Sequence, residues 1–128
     1  MKLKNFDLRT QVHATEDETL IIERLEALFG IKLRREEAMG HWKNPITTLE
    51  GSGDAKLAEK YLKKLKVLKL SDILSRCEKN KFFVRLNKEA AVAGRLVLGT
   101  DLQLVFIFSG HAPQPDDVAT LVASFWKA

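Results

Sequence analysis

The sequence predicts an α+β fold: one mainly antiparallel sheet with helices packed on it, in the order β-α-β-β-α-β-β-(β)-α. Three observations predict it. Residues Asn5 to Ala14 alternate apolar and polar, as a half-buried strand does. Two later stretches carry apolar stripes at helical spacing, and Leu102 to Phe108 (LQLVFIF) is a nearly continuous apolar run of strand length.

Taken in order, Phe6, Leu8, Thr10, Val12 and Ala14 point one way, and Asp7, Arg9, Gln11 and His13 the other. Thr15 followed by Glu18 fits a capping box, and Glu16 and Asp17 favour the positive end of a helix dipole. A helix is therefore predicted near 16–29, with Leu20, Ile21, Leu25, Leu28 and Phe29 on its core side and Gly30 as its stop. Capping explains this acidic cluster better than catalysis or metal binding does. Residues 31–50 are predicted to hold two strands joined near Gly40 to Pro45, the first poorly patterned because RREE interrupts any alternation.

GSGD is expected to break the chain, with Asp54 capping a helix near 54–69. On that helix Leu57, Ala58, Tyr61, Leu62, Leu65 and Leu68 share a face, and Lys56, Lys60, Lys63, Lys64 and Lys66 lie opposite. A short helical piece follows from Ser71. Lys81 to Leu86 reads as a strand, NKEAAVAG as a turn of helix or a loop, and Arg95 to Leu98 and Leu102 to Phe108 as two strands. LQLVFIF is apolar on both faces except at Gln103, so it is expected to be central or to meet a partner. Pro115, Asp116 and Asp117 open a last helix near 115–127.

A length of 128 residues suits one domain, taken here as 1–128, with a core that needs no disulfide or metal. No apolar run approaches bilayer length, and MKLKNFDLRT has no apolar signal core, so a cytoplasmic protein without membrane contact and with a reduced Cys77 is expected. The net charge of +4 is unevenly placed. Residues 56–88 hold 11 basic and 3 acidic side chains, whereas residues 1–55 hold 8 and 10. Such a polarised chain attracts polyanions, although a lysine-rich face also serves solubility alone.

Catalytic patterns are missing. Cys77 has no second cysteine, and HExxH, Walker A and GxSxG are absent. GSGDAK lacks the later glycine and the Lys-Ser/Thr pair of a phosphate loop. His13, His41 and His111 have no spacing that demands a site. No cofactor, structural metal or enzymatic activity is expected. The segment Gly40 to Ile46 has more to offer: Trp42 and His41 can stack on bases, Asn44 can meet a base edge, and Lys43 a phosphate. A turn shaped by Gly40 and Pro45, with Trp42 covering the core, accounts for the same residues.

Three blocks carry a family resemblance. They are His13-Ala14-Thr15-Glu16-Asp17, Gly40-His41-Trp42-Lys43-Asn44-Pro45-Ile46, and Arg85-Leu86-Asn87-Lys88-Glu89-Ala90-Ala91 with Gly94 beyond. In order and spacing the chain resembles a family of small archaeal RNA-binding proteins that are predicted exosome-associated subunits. Lys43, Asn87 and Glu89 stand where that family is expected to have glycine, aspartate and glutamine. The resemblance implies a fold similar to the ribosomal protein that binds 5S RNA, and a non-catalytic role near RNA processing or the ribosome. RNA, structured or read with weak sequence specificity, is then the expected partner, alongside exosome or ribosomal proteins. The expected contacts are Lys56, Lys60, Lys63, Lys64, Arg85 and Lys88 to phosphate, and His41, Trp42, Lys43 and Asn44 for stacking or local shape. The alternative is a protein-interaction subunit that never touches RNA, with LQLVFIF and Phe125-Trp126 as its interface. A homodimer and a hydrolase assembled from scattered histidines and acids remain open at this point.

Overall fold

Strand β1 (Lys2–His13) has the alternation that its sequence predicts: Phe6, Leu8, Thr10 and Val12 are buried, and Arg9, Gln11 and His13 are exposed. The structure, a computed structural model, describes residues 1–39, 45–110 and 114–127. A turn closed by the Glu16 N–H on the His13 carbonyl, at 2.9 Å, leads into helix α1 (Glu18–Phe29). The helix starts later than the expected capping box would place it. Asp17 is the N-cap and accepts from the Leu20 N–H at 3.1 Å, because Thr15 is taken up by the turn. Glu18 is thereby free to grip Arg35 at two points, Nε and Nη2, both at 3.1 Å. Gly30 ends the helix with φ 66, as read.

Strand β2 (Arg34–Met39) pairs antiparallel with β3 (Pro45–Gly53), Arg34 opposite Glu50 and Met39 opposite Pro45. All six residues of β2 are exposed, and it lies at the sheet edge, which is why RREE shows no alternation. The expected break at GSGD comes later than predicted, since β3 continues through Gly53. These glycines serve close packing. A Cβ on Gly51 would lie 2.7 Å from the Lys32 carbonyl, and one on Gly53 would collide with the Phe6 ring.

Helix α2 (Ala55–Lys64) is capped by Asp54, whose carboxylate accepts from the Leu57 N–H at 2.9 Å. The helix expected near 54–69 tightens after Lys64 into a 3-10 turn over Leu65–Leu68, and Lys69 leaves it at φ 49. A second 3-10 turn (Leu74–Arg76) precedes the two-residue β4 (Cys77–Glu78) and β5 (Lys81–Leu86). Asn87 then caps the short helix α3 (Lys88–Val92) by accepting from the Ala90 N–H at 2.8 Å.

The strand expected at Arg95 to Leu98 does not form. Only Leu98 bridges to Leu86, flanked by Asn87 N–H to Val97 O at 2.7 Å and Gly99 N–H to Arg85 O at 3.1 Å. The approach is so close that a Cβ on Gly99 would meet the Asn87 backbone. Strand β6 (Leu102–Ser109) and helix α4 (Pro115–Trp126) complete the fold. The strands are ordered β2-β3-β1-β6-β5-β4, so LQLVFIF is central, as its composition implies. This is the predicted α+β architecture, with an antiparallel six-stranded sheet and four α-helices among the described residues. No helix among the described residues is long and apolar enough to cross a membrane.

The chain forms two compact units. One comprises Met1–Asp7, Gly53–Val84 and Leu104–Ala128. Its core is aromatic: Phe6 sits 5.8 Å from Tyr61 and 5.9 Å from Phe106, and Phe82 meets Trp126 edge-on at 6.1 Å. The Trp126 indole N–H donates to the Leu62 carbonyl at 2.7 Å, which ties α4 to α2. The other unit comprises Leu8–Ser52 and Arg85–Gln103. Helices α1 and α3 pack together there, over a core that includes Leu8, Val12, Ile21, Leu25, Phe29, Leu49, Leu86 and Leu102.

Candidate nucleic-acid interface

The lysine row of α2 follows from the amphipathic pattern of the helix. Ala58, Tyr61 and Leu62 are buried, so Lys56, Lys60, Lys63 and Lys64 stand exposed on the other side. Lys63 pairs with Glu59 one turn earlier at 3.0 Å. The Lys60 and Lys64 ammonium groups lie 5.6 and 5.0 Å from the Tyr61 ring centre, within cation–π range. All four lysines stand on exposed ground, where charge-based contacts to phosphate cost little desolvation.

Of the other predicted contact residues, Arg85 and Lys88 both lie in the Leu8–Ser52/Arg85–Gln103 unit, where they line one cleft of about 470 Å³. Its walls come from three strands and a turn. Arg9, Gln11 and His13 project from β1 on the side opposite the buried Leu8, Thr10 and Val12. Arg85 does the same between buried Val84 and Leu86 on β5, and Gln103 between buried Leu102 and Leu104 on β6. Thr100 and Asp101 close the end of the cleft.

Lys88 proves to be a buried cation. It is 6% exposed, and its ammonium donates to the Gln11 carbonyl at 2.7 Å and to Glu16 Oε1 at 2.8 Å. Its charge is matched internally, so its contribution to the cleft is a positioned N–H donor and not a mobile surface charge. Burial by itself would raise the Glu16 carboxyl. The His13 backbone N–H and the Lys88 ammonium outweigh that and hold it below the usual carboxylate range. Asp101 accepts the Lys88 backbone N–H at 2.7 Å, and its own carbonyl accepts the Thr10 hydroxyl. Arg9 leans on Glu50 at 3.5 Å, and Arg34 reaches the same carboxylate at 3.7 Å. Arg85 is exposed and has no ion-pair partner among the described residues.

His41, Trp42, Lys43 and Asn44 lie outside the described residues, as does His111. The sequence reading did not bring Arg9, Gln11, His13 and Gln103 together, although they line this cleft. Their signal was present, since all four are the polar, outward positions of strands otherwise read for their cores. Among the described residues no group of three His, Cys, Asp or Glu side chains is placed to hold a metal.

Known proteins agree with this fold. An uncharacterized protein of Methanocaldococcus jannaschii is 32% identical to the chain, over 88% of the chain and 89% of its own length. The solved structure of a DUF54 protein from Methanothermobacter thermautotrophicus matches with a TM-score of 0.82 at 24% identity, covering 98% of both chains. A DUF54 structure from Sulfolobus solfataricus matches at 0.67 and 24% identity, covering 94% of this chain and 98% of its own. A family model described as RNA binding matches residues 5–107, and the chain therefore belongs to that RNA-binding family.

Proposed function

We propose that the chain is a non-catalytic RNA-binding accessory protein, acting as one module over residues 1–128 in the cytoplasm. The observation that carries this reading is the row of Lys56, Lys60, Lys63 and Lys64, all exposed on one face of α2. Exposed lysines on a rigid helix make point contacts to phosphate, which give affinity without sequence readout. Arg85 adds a planar, exposed cation with no ion-pair partner among the described residues. The family description supports RNA as the polyanion. A link to exosome or ribosomal proteins rests on the three-block resemblance, with RNA, structured or read with weak sequence specificity, as the partner.

The test is the salt dependence of RNA affinity. For a binder that neutralises Z phosphates, log affinity falls with log salt at a slope of roughly −0.7Z to −0.9Z. Replacing Lys56, Lys60, Lys63 and Lys64 by glutamine should lower affinity for all RNA sequences alike and make that slope shallower. A folded quadruple variant that binds as tightly as wild type at low and high salt would leave the lysine row a solvated face.

A second reading, a protein-interaction subunit that does not touch RNA, has one specific support. Phe83, Val105 and Ile107 are only half-buried, on the side of their strands opposite the core. Retention of partner proteins after nuclease treatment, together with loss of that retention in Val105→Ser, would favour it.

A further inference from the structure

We infer that the cleft between Arg9, Gln11, Arg85, Lys88 and Gln103 takes one unpaired ribonucleotide whose base carries an exocyclic amino group. The inference rests on the RNA-binding reading and goes further, to which part of an RNA enters and what is read. The cleft volume of about 470 Å³ lies in the range of small-molecule sites and suits one nucleotide, not a helix. It opens on the outward side of β1, β5 and β6 in the Leu8–Ser52/Arg85–Gln103 unit. Base edges reach such a surface only when unstacked, since the deep groove of an RNA duplex excludes side chains.

The lining sorts a base from a bare anion. Gln11 and Gln103 each present an amide, which donates and accepts and so matches a base edge. Asp101 uses Oδ1 on the Lys88 N–H, and its second oxygen remains an acceptor at the cleft. A carboxylate there repels free phosphate but accepts an amino N–H. Two of the three Lys88 ammonium protons are taken, by Gln11 O and Glu16, and the third has no acceptor among the described residues. That third proton can donate to a base carbonyl or ring nitrogen. Arg85 is placed for the flanking phosphate, and its guanidinium plane or the His13 ring can cover the base. The Asp101 carboxylate favours cytosine over uracil, because it accepts the cytosine amino N–H and repels the uracil O4, whereas the glutamine amides can turn to suit either base.

The experiment compares a cytidine 12-mer with a uridine 12-mer by fluorescence anisotropy, using wild type, Asp101→Asn and Arg85→Gln. Wild type should bind the cytidine strand more tightly by about fivefold or more, the scale of one good edge contact. Asp101→Asn keeps the acceptor for the Lys88 N–H but turns the second oxygen into a donor, so it should bind both strands alike or prefer uridine, and Arg85→Gln should weaken both equally. In wild type, the side-chain amide resonances of Gln11 and Gln103 should shift with the cytidine strand, a readout that does not depend on how any variant folds. Equal binding of both strands by wild type, or cytidine preference that survives in Asp101→Asn, overturns the cleft while leaving RNA binding intact. Binding of neither strand at low salt removes the RNA reading itself, and the cleft inference with it.

Discussion

The Lys88 ammonium and the Glu16 carboxylate, 72 residues apart in the chain, meet at 2.8 Å with only 8% of the Lys88 side chain exposed. The same ammonium holds the Gln11 carbonyl, and the same carboxylate oxygen holds the His13 N–H at 2.9 Å. One ion pair therefore fastens the start of α3 to the end of β1 and the turn before α1. Its two ends are unequal, since Glu16 keeps 29% of its side chain exposed. Glu16→Ala strands a buried cation, whereas Lys88→Met leaves a carboxylate that water can reach. Removing one partner of a fully buried pair costs about 3–5 kcal/mol. With Glu16 part-exposed, about 1–3 kcal/mol is expected for Glu16→Ala, and less for Lys88→Met, in urea denaturation. The reverse order would mean that Lys88 is held mainly by its stem.

The same pair sets a pH dependence. The folded-state carboxyl of Glu16 lies below its ordinary value of 4.5. The stability it contributes is complete above that value and is lost as the pH falls through the lower, folded one. Glu18 adds in the same direction, chiefly through its hydrogen bond to Arg35. Glu16→Gln should thus cost stability at pH 7, and the gap to wild type should narrow as the pH falls below 4.5, because a protonated Glu16 resembles glutamine. A gap that is constant from pH 7 to the acid limb would contradict this.

Gly53→Ala tests the packing of β3. The added methyl would enter the Phe6 ring, which is itself fully buried against Tyr61 and Phe106. Overpacking of this kind costs about 1–3 kcal/mol. Phe6→Leu in the same chain should make Gly53→Ala less costly, a coupling that a double-mutant cycle reads directly. Simple additivity would show that the backbone, and not the ring, rejects the methyl.

Cys77 supplies a chemical test. Burial pushes its thiol up to about 11, and the Sγ–H donates to the Ile73 carbonyl at 3.3 Å. The thiolate fraction at neutral pH is then small, and the higher nucleophilicity of a more basic thiolate offsets only part of that. Alkylation by iodoacetamide should run roughly tenfold or more slower than for a free thiol and reach free-thiol rates in urea. Fast labelling of the folded protein would mean that the 3-10 turn over Leu74–Arg76 opens readily.

The sequence made some of this architecture readable and concealed the rest for physical reasons. The alternation in β1 and the stripe in α2 were legible because each element is buried on one side only, so that its pattern is binary. GSGD was read as a break because glycine signals either a turn or a close approach, and only the position of Phe6 decides between them. Thr15 and Asp17 are both good caps two residues apart, and the choice was made by the turn that Glu16 closes on His13. Lys88 looked like a surface cation because its neutralising partner lies 72 residues away. The cleft was hidden for the same reason, since it exists only where the outward faces of β1, β5 and β6 converge.

The last prediction separates charge from stacking in RNA binding. Arg85 is exposed and unpaired among the described residues, so a phosphate contact through it should appear in the salt slope. Arg85→Gln should make that slope shallower by roughly 0.7–0.9, the share of one phosphate. Trp42 has a different signature. If it stacks on a base, Trp42→Ala should weaken binding by about 1–3 kcal/mol while leaving the slope unchanged, because stacking releases no counterions. Both variants are measured by anisotropy from low to high salt on one RNA, with thermal melts to establish folding. A Trp42→Ala variant that melts early and binds normally at low temperature would assign Trp42 to core packing. An unchanged slope in Arg85→Gln would move the phosphate contacts away from the cleft and onto the lysine row of α2.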